Sequence, residues 1–227
     1  MTDPLCLTRA LVDRLPPRTD ERGPVKLHQP EPGYHERMAE AILAQSDGSG
    51  PLWIFAAGSL IWNPRFEVAE RRAAHVRGWQ RSFCISDQRF RGSPSAPGLM
   101  MSLDRGGACT GMVLRMAPDD LSAALVALLE TEPPLPPVWV EAETVDGPVR
   151  AIVFAIERSW PLYVPEPEPE ALADILASAV GHVGTMAEYL LNTVTELDRA
   201  GVHDAHLWHL QALVAARLAQ LPPSDGG

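Results

Sequence analysis

A chain of 227 residues, 46% of them hydrophobic, can bury one substantial core and has no need of several domains. Its formal net charge of −10 excludes sequence-independent binding to nucleic acid, whose phosphates that field repels, and favours a small substrate. No apolar run reaches the ~18 residues of a membrane span, and Asp3, Pro4 and Arg9 interrupt any secretory leader, so a cytoplasmic protein is expected.

Residues 1–50 are rich in Pro, Arg, Asp and Gly and read as an N-terminal extension. They contain one predicted helix, 34–45, in which Met38, Ala41 and Ile42 share a face. The stretch 46–51 (Ser-Asp-Gly-Ser-Gly-Pro) is a linker, and it opens a domain expected over 51–220 with a disordered tail at 221–227. The run Leu52-Trp53-Ile54-Phe55-Ala56-Ala57 predicts a fully buried strand, followed by strands at 76–86, 99–103, 110–116, 138–145 and 149–156. Pro118, Asp119 and Asp120 announce a helix, with proline suited to its first turn and acids to its dipole. Leu121, Leu125, Leu128 and Leu129 form its buried face, and Pro133 and Pro134 end it. A Pro-Glu connector at 161–169 leads to three helices, 171–180, 185–200 and 205–218. Strands first and helices last predict an α+β fold, its sheet closed into a small mixed barrel with helices packed outside.

Three cysteines, Cys6, Cys84 and Cys109, show no CxxC spacing and suggest neither a disulfide framework nor a zinc knuckle. His203, His206 and His209 recur every third residue, a spacing that rotates the outer two apart on a helix, and no glutamate completes a metalloprotease motif. No metal is expected from these patterns. The densest supply of positive charge for an anionic ligand is Arg65, Arg71, Arg72, Arg77, Arg81, Arg89 and Arg91, a set that also reads as an ordinary solvated face.

The most informative stretch is Ala57-Gly58-Ser59-Leu60-Ile61-Trp62-Asn63-Pro64, where a buried strand breaks into Gly-Ser. Such a strand end leaves N–H groups unpaired, and glycine lets a ligand approach the main chain, so the junction can hold a carboxylate or an oxyanion. A plain turn has the same local composition. Together with residues 53–56, the stretch resembles the signature of the ChaC-type γ-glutamylcyclotransferases, approximately V-F-G-Y-G-S-L-I-W-N-P-G-F. Similar text continues at Arg71-Arg72, Gly78-Trp79-Gln80-Arg81-Ser82-Phe83-Cys84, Arg91-Gly92-Ser93, Pro97-Gly98, Cys109-Thr110-Gly111, residues 151–154 and residues 184–190. The resemblance covers about residues 51–215, and the extension is similar to that of bacterial members.

That resemblance implies a γ-glutamylcyclotransferase-like fold and a cofactor-free reaction on a small γ-glutamyl substrate such as glutathione. The substrate's α-amine attacks its own γ-carbonyl and releases 5-oxoproline. The family base is a glutamate just after the helix, which places it at Glu132, with Glu130 as competitor. Pro133 pushes Glu132 out of the α region and turns it from the helix. The implied substrate contacts are Ala57, Gly58, Ser59, Leu60, Arg91 and Tyr189, the last matching a family tyrosine at the border of the pocket.

Several positions depart from the family text. Ala57 stands for the motif tyrosine, Ala56 for glycine, Thr131 and Leu99 for arginines, and Met186 for a polar residue, while the loop after Glu132 shortens to residues 133–137. Losses at substrate contacts with the core text kept are the pattern of altered specificity or of lost catalysis. The alternative to an active cyclotransferase is a silent relative that binds a γ-glutamyl ligand or a protein partner.

Overall fold

The apolar run after Pro51 forms β1 (Trp53–Ala56), buried along its whole length. In the computed structural model, residues 4–24, 30–46, 50–117, 120–134 and 136–223 are described. With β2 (Val68–Asp87), β3 (Gly98–Met116), β4 (Val138–Thr144) and β5 (Gly147–Val153), β1 closes a barrel in the order β1-β3-β2-β4-β5. β1 runs antiparallel to β3, with Phe55 opposite Val113, and parallel to β5, with Ile54 opposite Ile152. The α+β expectation with a closed mixed barrel therefore holds.

Three of the strand predictions need correction. The expected strand 76–86 begins at Val68: half-buried Val68, Glu70 and Arg72 alternate with exposed Ala69, Arg71 and Ala73, so the period is that of a strand but charges fall on both of its faces. The expected separate strands 99–103 and 110–116 form one strand, β3. Gly106 and Gly107 adopt left-handed φ of 118° and 59° within it, so what reads as a turn is a local irregularity that glycine accommodates.

By main-chain proximity the chain divides into two compact units, one made of Met1–Lys26, Ser82–Met101 and Glu157–Gly227, the other of Leu27–Arg81 and Ser102–Ile156. In the second unit Trp53, Phe55, Trp79, Val113 and Val153 share a core with Ala57, Ala74, Ala142, Ala151 and Ala155. A narrow barrel has room for its large rings only where facing positions stay small. Helix α2 (Tyr34–Gln45) packs against α3 (Leu121–Leu129). The end of α2 is tied to the β4–β5 hairpin, where Gln45 accepts bonds from Trp139 Nε1 (3.0 Å) and Arg150 Nη1 (2.6 Å). Asp120 caps α3 by accepting from the Ala123 N–H at 2.9 Å. The helix announcement at Pro118 and Asp119 lies outside the described residues, as do 47–49 of the linker, Leu135 of the proline-rich loop and 224–227 of the tail.

The first unit contains α1 (Arg9–Val12), α4 (Pro169–Ser178), α5 (Met186–Arg199), α6 (Ala205–Leu218) and a two-stranded ribbon of β6 (Val180–Gly181) and β7 (Gly184–Thr185). The helix expected at 171–180 starts earlier, at Pro169, and stops at Ser178, because Val180 pairs with Thr185 in the ribbon. The helices expected at 185–200 and 205–218 form as α5 and α6. Within this unit Cys6 and Leu7 donate their N–H groups to Gln211 Oε1 of α6 at 2.7 and 2.8 Å. Among the described residues no helix is long and apolar enough to cross a membrane.

Candidate functional site

The segment leaving β1 is held at both ends by arginines of β2. Arg81, buried within the barrel unit, donates through Nε to the Ala57 carbonyl at 2.7 Å and through Nη2 to the Thr110 carbonyl at 2.8 Å. Arg71 Nη1 donates to the Ile61 carbonyl at 2.7 Å. Between these clamps Ser59–Ile61 form a single 3-10 turn, in which Ile61 N–H donates to Gly58 O at 3.0 Å. Gly58 and Ser59 are half-buried and Leu60 is buried. Among the described residues their three N–H groups donate to no backbone carbonyl. Fixing the Ala57 carbonyl on Arg81 also fixes the plane of the Ala57–Gly58 peptide, and so aims the Gly58 N–H away from Arg81. Gly111 of β3 passes so close to β1 that a Cβ there would lie 2.5 Å from the Ala56 carbonyl oxygen. The Thr-Gly pair in the sequence is thus a close strand approach, next to the carbonyl that Arg81 holds.

Glu132 belongs to the same unit. Helix α3 ends at Leu129 with exposed Glu130 as its C-cap, and Thr131 folds back with its N–H (3.0 Å) and Oγ1 (2.8 Å) on the Leu128 carbonyl. Glu132 follows just before Pro133 and keeps partial exposure as a residue. Its carboxyl group is nonetheless so closely surrounded that burial pushes its pKa up to about 7, against the pull of the Arg65 guanidinium toward the charged form. A carboxyl with restricted but real access to solvent can take and return a proton near neutrality.

Arg91 and Tyr189 lie in the other unit, engaged with one another. Arg91 is buried, donates through Nη1 to the Thr185 carbonyl (2.9 Å) and to Glu188 Oε2 (3.0 Å), and stands 5.6 Å from the Tyr189 ring centre. Tyr189 is buried in α5, edge-on to Phe83. Burial raises the Glu188 carboxyl, but hydrogen bonds from Arg9 and Arg91 outweigh it and leave the pKa below the usual range. The loop carrying Arg91 wraps on Asp87, whose carboxylate accepts the N–H groups of Arg89, Phe90, Arg91 and Gly92.

The three histidines separate in the structure. His203 lies against Trp208 with ring centres 4.6 Å apart and planes tilted by 52°, His206 Nε2 lies 2.8 Å from Glu166 Oε1, and His209 is exposed. Cys84 is buried, and His75 Nδ1 pairs instead with Thr110 Oγ1 at 3.0 Å. Among the described residues no cluster of His, Cys, Asp or Glu has metal-binding form.

Two residues of the site went unassigned in the sequence. Arg81 stands in the sequence only as part of the motif text and of the group of arginines, and Arg65 only as one of that group, because nothing local shows which carbonyl or carboxyl either side chain meets. The ChaC-like protein family matches residues 52–217, which include β1, the Ser59–Ile61 turn and Glu132. The chain belongs to the ChaC-like family. It is 36% identical over 190 residues to the Escherichia coli K12 protein named glutathione-specific γ-glutamylcyclotransferase, covering 82% of each chain. It is 32% identical over 180 residues to human glutathione-specific γ-glutamylcyclotransferase 1, covering 75% of this chain and 80% of that one. A yeast γ-glutamyl cyclotransferase specific to glutathione, solved as a selenomethionine crystal structure, shares the fold with a TM-score of 0.66 and 18% identity, over 74% of this chain and 97% of that one.

Proposed function

We propose that this ChaC-like protein is a cytoplasmic γ-glutamylcyclotransferase that cleaves a small γ-glutamyl compound without metal or cofactor. The observation that carries the reading is the family match over residues 52–217, within which a glutamate is retained just after α3. In the reaction the α-nitrogen of the glutamyl group bonds to its own γ-carbonyl carbon, and the amide bond to the leaving amine breaks. The products are 5-oxoproline and the free amine, and no water is consumed. A free α-amine, with a pKa of about 8 in the chain-terminal reference, is largely protonated near neutrality and must lose a proton to attack. Glu132 takes that proton and returns it to the leaving nitrogen, so one carboxyl serves both half-steps. The N–H groups of Gly58, Ser59 and Leu60 face the oxygen on which charge develops. Holding the glutamyl arm in its ring-closing conformation supplies much of the rate, since well-oriented intramolecular reactions reach effective molarities of about 10⁵–10⁸ M.

The departures at Ala57, Leu99 and Thr131 support a substrate other than glutathione, because each removes a hydroxyl or a cation from the motif text. Charge-assisted hydrogen bonds are worth roughly 1.5–3 kcal/mol each where they are desolvated. A panel of γ-glutamyl peptides and amines, followed by 5-oxoproline release, tests the reading: turnover of at least one compound with weak turnover of glutathione is expected. Glutathione kinetics equal to those of the Escherichia coli relative, measured side by side, would contradict the altered specificity. A silent binder, the reading these same departures favour second, requires binding without release.

A further inference from the structure

Among the described residues Arg65 is the single non-glycine with a left-handed backbone, at φ 62°. A side chain in that conformation is strained by contact of its Cβ with the following carbonyl, and such strain persists where the side chain's role outweighs it. The family signature places glycine here, which accounts for the shape of the backbone but not for an arginine on it. The guanidinium is aimed rather than loose. With the Asn63 amide oriented so that its oxygen faces Arg65, Oδ1 accepts from Nη2 at 3.1 Å and from Nε at 3.2 Å. A guanidinium carries five N–H donors, so the Asn63 contact leaves donors for a ligand. Arg65 is exposed, and among the described residues it forms no salt bridge, yet its field acts on the Glu132 carboxyl.

The chemistry of the substrate makes a cation at this place useful. The α-amine and α-carboxylate of a γ-glutamyl group share one carbon, so a base that reaches the amine also draws a carboxylate toward itself. Two neighbouring carboxylates repel, and a cation between them removes the repulsion. Leu99 and Thr131 leave the motif without two of its arginines, and Arg65 adds one whose field reaches the Glu132 carboxyl. We propose that Arg65 is a specificity-determining residue that binds a carboxylate of the γ-glutamyl substrate. The proposal rests on the assignment of Glu132 as the base, and the carboxylate is either the α-carboxylate or that of a leaving peptide.

The test compares wild type, Arg65→Gly and Arg65→Lys on a γ-glutamyl dipeptide and on a γ-glutamyl amide of an uncharged amine. Affinities are measured in parallel by calorimetry in the Glu132→Gln background. Arg65→Gly should raise KM about tenfold and weaken affinity equally, a change of about 1.4 kcal/mol, with kcat nearly unchanged. Arg65→Lys should recover most of the loss. The melting temperature of Arg65→Gly should hold or rise, because glycine relaxes the backbone, which separates a binding defect from misfolding. Loss on both compounds identifies the α-carboxylate, and loss on the dipeptide alone identifies the leaving peptide. Unchanged KM and affinity on both compounds, or a fall confined to kcat, would overturn the role of Arg65. Wild type that neither binds nor turns over any γ-glutamyl compound would overturn the functional reading itself, and the proposal with it.

Discussion

At Glu132, basicity near neutrality comes at the expense of stability. The carboxyl rises from 4.5 to about 7 because burial removes water from its charged form. The folded-state pKa is raised, so between about 4.5 and 7 the native chain keeps a proton that the unfolded chain releases, and stability falls as pH rises through that window. Below it the effect vanishes, and above it the loss is complete at about 3 kcal/mol, an upper figure. Glu132→Gln removes the titration while keeping the shape. Its unfolding free energy should therefore exceed that of wild type at pH 8 and match it at pH 4, as read by urea melts at both pH values. A gain of equal size at both would show that the carboxyl is not desolvated. The same pKa places the rising limb of kcat/KM near pH 7. The identity of this residue was legible in sequence from its place after the helix and before Pro133. Its environment was not, because desolvation depends on residues distant in the chain.

At the scale of the element, the segment after β1 owes its shape to β2. Arg81 and Arg71 hold the Ala57 and Ile61 carbonyls, so the turn between them is fixed by side chains from a strand that sequence reading began too late. Hydrophobic periodicity misses such a strand start because residues 68–75 bury little apolar surface. Arg81→Leu should destabilise the protein by roughly 1.5–3 kcal/mol, since it leaves the Ala57 and Thr110 carbonyls without their charged donor. Where the variant remains folded, kcat should fall more than KM rises, because the misaligned Ala57–Gly58 peptide serves the transition state more than ground-state binding. Chemical denaturation and steady-state kinetics check both parts, and wild-type kcat in a folded Arg81→Leu protein would remove this positioning role. Helices α5 and α6 were legible from helical spacing alone, and the structure adds the side-chain caps at Thr185 and Asp204 that fix where they start. The merging of two expected strands into β3 was not, because glycines that permit a turn equally permit an irregular strand.

For the whole molecule, the apolar run before Gly58 and the order of strands and helices made the α+β barrel legible, while the division into two units assembled from separated segments was not. Strand register and closure are set by long-range pairing, such as β1 with both β3 and β5, which no local pattern encodes. The net charge of −10 gives no general attraction to an anionic substrate, so recognition falls to a few placed cations and N–H groups. Catalysis accordingly depends on individual groups, and its most direct test is 5-oxoproline release by wild type, Glu132→Gln and Glu130→Gln on the best substrate of the panel. General-base catalysis contributes about 10²–10⁴-fold, so Glu132→Gln should lose activity on that scale with its affinity for the substrate retained, while Glu130→Gln, at an exposed helix end, should stay close to wild type. Full activity in Glu132→Gln, or equal loss from both variants, would contradict the assignment of Glu132 as the base.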